Sequence, residues 1–321
     1  MQTVLLPLAD PAAEPRAEAL LSAGELVALP TETVYGLAGD STLGGAVAAI
    51  FEAKGRPRFN PLICHVSGLD MAERIAVFDD LARSLAARFW PGPLTLVLPA
   101  AAASPVHPLA MAGLSTVALR MPRGVVARLA GRLGRPIVAP SANPSGRVTG
   151  TSAEAVARGL SGRIPLILDG GPSPVGIEST ILRPEAGRLV LLRAGALPRA
   201  AIEAATGRAV EGPEAGAAIA APGGLASHYA PAGRVRLGAT SVEPGEFVVA
   251  FGPKRPEGLE RAAAIVNLSP RGDLKEAAAN LFAALSAFDS ADVERIAVAP
   301  IPEEGLGEAI NDRLRRAAAP R

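Results

Sequence analysis

Short apolar runs recur through the first two hundred residues. Each is cut off by a Pro, a Gly or a hydroxyl-rich turn and followed by a segment with helical spacing. Residues 26–29, 62–66, 94–98, 117–119, 137–139 and 166–168 read as buried strands. Segments 17–23, 46–53, 81–90 and 125–133 place apolar side chains three and four apart, as helices do. Ser152 is suited to cap a further helix through the N–H of Ala155. Residues 179–182 and 189–192 read as neighbouring strands joined by a turn, with a closing helix over 198–206. Such alternation implies an α/β or α+β domain of about 200 residues.

At 321 residues the chain is too long for one ordinary core. Its composition changes from residue 211, where Ala, Gly and Pro dominate and no apolar period is visible. That reads as a linker over 211–233, holding the island Ser227-His228-Tyr229-Ala230-Pro231. Beyond it, strands at 235–237, 247–250, 265–268 and 296–298 accompany helices at 274–288 and 306–316. This spacing predicts a small, Rossmann-like parallel sheet covered on both faces. The expected division is therefore 1–210, 211–233 and 234–321.

A net charge of +1 argues against a bulk nucleic-acid coat protein. One cysteine, Cys64, rules out an internal disulfide and fits a buried thiol. No basic, apolar leader opens the chain, and no run reaches the ~20 residues that span a bilayer, so the cytoplasm is the expected compartment.

The chemistry concentrates at strand ends. Lys54 and Arg56 follow a helical segment and suit an anionic ligand, or else form a solvated turn. Ser141 and Asn143 suit phosphate or ribose, or bond their own turn. Ser179 and Thr180 either line a site or sit on a strand face. His65 closes a strand. Glu32 and Asp169 are possible general bases. No Gly-rich phosphate loop and no zinc spacing is present.

Six blocks in order, Pro30-Thr31-Glu32-Thr33-Val34-Tyr35-Gly36-Leu37, Lys54-Gly55-Arg56-Pro57, Asn60-Pro61-Leu62, Ser115 through Pro122, Ala139-Pro140-Ser141-Ala142-Asn143 and Gly176-Ile177-Glu178-Ser179-Thr180, resemble the L-threonylcarbamoyladenylate synthase family, the YrdC-like proteins. With the His228-Tyr229 island, the chain resembles the family's long, two-domain form. The resemblance implies a twisted mixed-sheet α/β domain and a smaller Rossmann-like one. It implies synthesis of L-threonylcarbamoyl-AMP from L-threonine, bicarbonate and ATP, with Mg²⁺ arriving on the triphosphate. The product would pass to a transferase complex that modifies tRNA; direct tRNA contact would be weak, and no membrane is involved.

Carried over residue by residue, the resemblance puts Lys54 and Arg56 at the chemistry and Thr33, His65, Arg120 and Ser179 around threonine. ATP would meet Lys54, Arg56, Asn60, Thr116, Ala139, Ser141, Asn143, Thr149 and Arg193, with Tyr229 closing over the nucleotide. Before His228 stands Gly223-Gly224-Leu225-Ala226-Ser227, smaller than the family's usual run, which implies a looser cover. The competing readings are an RNA-binding module, using Arg120, Arg123, Arg128, Arg132, Arg135 and Arg147, another carbamoyl-adenylate enzyme in which the same domain serves hydrogenase maturation, and a regulatory or scaffolding protein with an inactive fold.

Overall fold

The computed structural model describes residues 1–213 and 227–320. Of the cover expected over 211–233, residues 214–226 lie outside the described residues. The first eleven strands form one mixed sheet in the spatial order Val4–Pro7, Leu166–Asp169, Val27–Leu29, Gly36–Asp40, Ile137–Val138, Ile63–His65, Thr116–Arg120, Leu94–Pro99, Thr180–Glu185, Arg188–Arg193 and Val210–Glu211.

Two registers matter for function. Strand Ile63–His65 runs parallel to Thr116–Arg120 and pairs His65 with Arg120 at their shared carboxyl edge. Leu94–Pro99 runs parallel to Thr180–Glu185, which brings Thr95 beside the residue that precedes that strand, Ser179.

Helix Gly44–Lys54 buries Ala46, Val47, Ile50 and Phe51, the apolar set read from spacing. It ends at Gly55, whose φ of 57° is the left-handed conformation glycine adopts without a Cβ penalty. That reversal leaves Lys54 pointing into the protein, 2 % exposed. Helix Ala13–Ser22 begins earlier than expected because Pro15 falls in its first turn, where a missing N–H costs no hydrogen bond. Strand Gly36–Asp40 escaped notice because its Gly and Asp residues are poor strand formers, yet every position is buried. Cys64 is a buried free thiol, and burial pushes its pKa up to about 12.

The second sheet has the order Arg234–Arg236, Arg295–Val298, Phe247–Ala250 and Ala264–Asn267, all parallel. Helices Leu274–Ala287 and Gly307–Ala318 lie together on one face, packing Phe282, Leu285, Ile310 and Leu314 against Val249, Ile296 and Val298. The other face is covered by Ala239, Val242, Leu259 and Ala262 from a loop and a single 3₁₀ turn. Pro244, Pro253, Pro256, Gly252 and Gly258 keep those connections from forming a helix. The helical face does more than close its own sheet. Its cluster also takes in Val34, Val148, Ile177 and Tyr229, so this core reaches the edge of the larger sheet.

Candidate active site

After strand Val27–Leu29 the chain makes a hydroxyl-locked turn. Thr31 Oγ1 accepts from the N–H groups of Thr33 and Val34 at 3.2 and 3.3 Å and donates to the Val34 carbonyl at 2.6 Å. The turn presents Thr33 Oγ1, which accepts from Arg120 Nη1 at 3.0 Å. Arg120 Nε donates to the Gly92 carbonyl at 3.2 Å. Its Nη2 lies 2.7 Å from Glu32 Oε1, an ion-pair contact without hydrogen-bond geometry. Glu32 is thus partnered by a cation rather than poised as a base. Asp169 accepts from the Gly171 N–H at 2.9 Å and serves its own turn.

Thr33, Arg56, His65, Arg120, Ala139, Ser141, Ser179, Arg193 and Tyr229 converge on one cavity of about 50 Å³, with Glu178 and His228 also in its wall. Three guanidiniums face one carboxylate there, so the cavity favours anions. Arg56 donates to the carbonyls of Asn60 and Pro61 at 3.3 and 2.9 Å. Burial lowers its pKa to about 10, with Tyr229 opposing and Arg193 adding to the fall; it stays charged at neutral pH. Arg193 donates to the Ser179 carbonyl through Nε and Nη2 and to Ser179 Oγ at 3.1 Å, while Ser179 Oγ also lies 2.7 Å from Thr95 Oγ1. Thr95 carries no sequence signal of a role; only the strand register reveals it.

Lys54 is not among the lining residues. Its Nζ donates to the carbonyls of Ser141 and Asn143 at 2.6 and 2.5 Å, and so it pins the turn that holds Ser141 in the cavity wall. Asn143 spends its amide N–H groups on the carbonyls of Pro144 and Arg147, at 2.9 Å each. Asn143 and Thr149 line a different cavity of about 360 Å³, with Arg147, Arg158 and Arg163 in its wall. Asn60 and Thr116 line neither. The Asn60 side chain is 1 % exposed, and both its polar atoms lack a partner among the described residues. A buried amide left open in this way is suited to a ligand.

The His228-Tyr229 pair forms the roof. Tyr229 has φ 62°, and of the non-glycine residues at positive φ it is the one in this wall. That backbone costs about 1–3 kcal/mol and persists only where surroundings enforce it. Here the His228 N–H donates to the Arg316 carbonyl at 3.2 Å and the Ala230 N–H to the Gly146 carbonyl at 2.9 Å. The rings of His228 and Phe282 lie 4.0 and 5.3 Å from that of Tyr229.

Both cavity histidines are neutral at physiological pH. Burial is the main cause in each; Arg120 reinforces it at His65, and Lys54, Arg56 and Arg193 do so at His228 against Glu178, bringing both pKa values to about 3. Unfolding frees both to bind protons below about pH 6.5. Their contribution to stability is therefore complete above that pH and falls by up to about 1.4 kcal/mol per unit per histidine as the pH drops from 6.5 toward 3. Urea midpoints at pH 7.5 and 5 should show the loss, and replacing His65 by Asn should flatten it.

Gly195 packs directly against the backbone that carries Ser179 into the cavity wall. A Cβ there would sit 2.4 Å from Ser179 C and Thr180 N and 2.5 Å from Glu178 O. Gly195→Ala is expected to cost about 1–3 kcal/mol, as overpacking does. On the role that the family resemblance implies for Ser179, it should also raise the KM for threonine, because the displaced backbone carries that residue. A urea midpoint and a threonine titration measure the two effects.

The architecture has solved counterparts. Sua5 from Pyrococcus abyssi, determined with L-threonine bound, superposes with a TM-score of 0.87 at 37 % identity, covering 98 % of each chain. A family profile described as telomere recombination matches residues 19–195, and one described as the threonylcarbamoyl-AMP synthase C-terminal domain matches residues 197–319. The threonylcarbamoyl-AMP synthase of Bacillus subtilis is 39 % identical, covering 95 % of this chain and 93 % of its own. That of P. abyssi is 42 % identical, covering 92 % of this chain and 91 % of its own. On this agreement along both domains, the chain belongs to the threonylcarbamoyl-AMP synthase family.

Proposed function

We propose that the chain makes L-threonylcarbamoyl-AMP from L-threonine, bicarbonate and ATP and releases pyrophosphate. The observation that carries this reading is the anion-selective cavity, with neutral imidazoles and oriented hydroxyls under a tyrosine roof. Threonine's amine combines with bicarbonate, losing water, to give a carbamate. A carbamate oxygen then attacks the α-phosphorus, and the bond to the leaving pyrophosphate breaks. In this reading Arg120 and Thr33 take threonine's carboxylate, with Ser179 and His65 completing its pocket, and Arg56 and Arg193 offset the phosphates; the shared cavity of these residues supports it. The protein's share is alignment and charge, which can contribute about 7–11 kcal/mol by effective molarity.

In the present arrangement about 50 Å³ admits only a few waters' worth of ligand. Entry of ATP therefore requires the His228-Tyr229 roof to move, and its return shields a hydrolysis-prone adenylate from water. Mg²⁺ is expected on the triphosphate. The cavity's carboxylate, Glu178, is committed to Arg313, and Mg²⁺ commonly keeps waters and phosphate ligands. Transfer of the adenylate to a tRNA-modifying complex is the further step that the family resemblance implies. No described helix is long and apolar enough to cross a membrane.

The RNA-binding reading loses its contacts. Arg120 is buried, Arg123 donates to Pro91, and Arg128, Arg132, Arg135 and Arg147 pair with Glu14, Glu18, Asp40 and Asp289. Pyrophosphate release, measured with threonine and bicarbonate omitted in turn, tests the synthase. Release should need both and fall about 100-fold or more in Arg56→Ala, as when one preorganised donor is lost. Release indifferent to threonine would refute it.

A further inference from the structure

We propose that Arg313, from the last helix, is a positioning residue of the active site: through Glu178 it holds the Tyr229 ring in the cavity wall and thereby sets how tightly the adenylate is retained. This rests on the reading of Tyr229 as the roof over the nucleotide.

Arg313 is fully buried, although its helix otherwise presents an ordinary apolar stripe of Ala309, Ile310, Leu314 and Ala317. Its Nε donates to Glu178 Oε2 at 2.9 Å and its Nη1 to the Ala194 carbonyl and to Asp312 Oδ2 at 2.5 and 3.0 Å. Its guanidinium carbon lies 5.6 Å from the centre of the Tyr229 ring, within cation–π range. Glu178, the carboxylate of the cavity wall, thus has Arg313 Nε behind it and the Tyr229 hydroxyl as a further partner. Burial alone would push the Glu178 carboxyl up; Arg313, then Arg193 and His228, outweigh it and keep the pKa at about 2.

The geometry is more specific than adhesion between domains requires. A buried ion pair that only joined two surfaces could be replaced by apolar side chains without loss. This one sits at the cavity wall, one helical turn from Arg316, whose carbonyl receives the His228 N–H. A single turn of the C-terminal helix therefore fixes both the backbone entering Tyr229 and the face of its ring. Tyr229 holds a left-handed backbone that its surroundings must enforce. Arg313 touches neither Thr33, Arg120 nor the remaining polar groups assigned to threonine, so its influence should be felt on nucleotide and product.

Two full-length variants test this. Arg313→Lys keeps a cation for Glu178 but loses the Nη1 bond to Ala194 and the planar face toward Tyr229. Glu178→Gln combined with Arg313→Met removes both members of the pair, so that neither is left buried facing the gap of the other. The measurements are the urea midpoint, pyrophosphate release against ATP and against threonine, and the rate at which newly formed threonylcarbamoyl-AMP escapes the enzyme in a rapid-filtration chase.

With midpoints near that of the parent chain, both variants should release the adenylate about tenfold faster. Each should also show an ATP KM raised about tenfold, as expected when a closing element is loosened. In Arg313→Lys the threonine KM should stay within about twofold, since that variant leaves Glu178 and the groups assigned to threonine in place. Parental escape rate and ATP KM in either folded variant would overturn the assignment and leave the pair a structural tie. Absence of threonine-dependent release from the parent chain would instead overturn the function on which the assignment rests.

Discussion

Lys54→Met should lower kcat/KM for ATP by about 100-fold, although Lys54 lines no part of the cavity, because a displacement of about 1 Å in the groups it aligns costs that much. Its ammonium is hydrogen-bonded to the carbonyls of Ser141 and Asn143, and in return its own carbonyl accepts the Ser145 N–H at 2.7 Å. Met fills the volume and removes the donor. Two buried carbonyls then lose a partner, at about 1–3 kcal/mol each, and the turn carrying Ser141 relaxes. Burial first, then Arg56, pulls the Lys54 pKa well below its ordinary value, with Glu178 opposing. Steady-state kinetics against ATP, with circular dichroism to confirm folding, measure the effect. A Lys54→Met enzyme with parental kcat/KM would show that the turn holds itself.

Arg120→Leu should act on the other substrate. The guanidinium joins Thr33 Oγ1, the Gly92 carbonyl and Glu32 and lies beside His65 in the strand register. Losing a carboxylate partner should raise the KM for threonine about 100-fold, equivalent to about 2.7 kcal/mol, with the KM for ATP nearly unchanged. Glu32 is left in the protein without its cation, so a lower urea midpoint should accompany the kinetic change. Arg120→Lys should recover much of the midpoint and little of the KM, because an ammonium restores charge and lacks the planar fork. Equal rises in both KM values would contradict the division of the cavity into a threonine side and a nucleotide side.

Much of this was legible before the structure. Helical spacing at Ala46, Val47, Ile50 and Phe51 and the short runs around Cys64 and Leu119 located the elements, since periodicity records which face is buried. Ordered motifs located nine residues of the cavity wall. What stayed hidden depended on contacts distant in sequence. Thr95 reaches Ser179 through strand pairing, and Arg313 reaches Glu178 across 135 positions. An arginine on an amphipathic helix reads as solvated, and only tertiary packing turns it inward. In sequence Lys54 shows only its charge, which suits a phosphate; the two carbonyls that occupy it come from distant positions.

The central claim is that carbon from bicarbonate and threonine's nitrogen become joined on the nucleotide. Incubating the chain with ¹³C-bicarbonate, L-threonine, ATP and Mg²⁺ and reading the quenched mixture by mass spectrometry tests this directly. The account predicts an adenylate carrying both threonine and one ¹³C, absent when either co-substrate is withheld. Pyrophosphate formed with only unlabelled AMP or threonyl-AMP, and no ¹³C in any nucleotide, would contradict it.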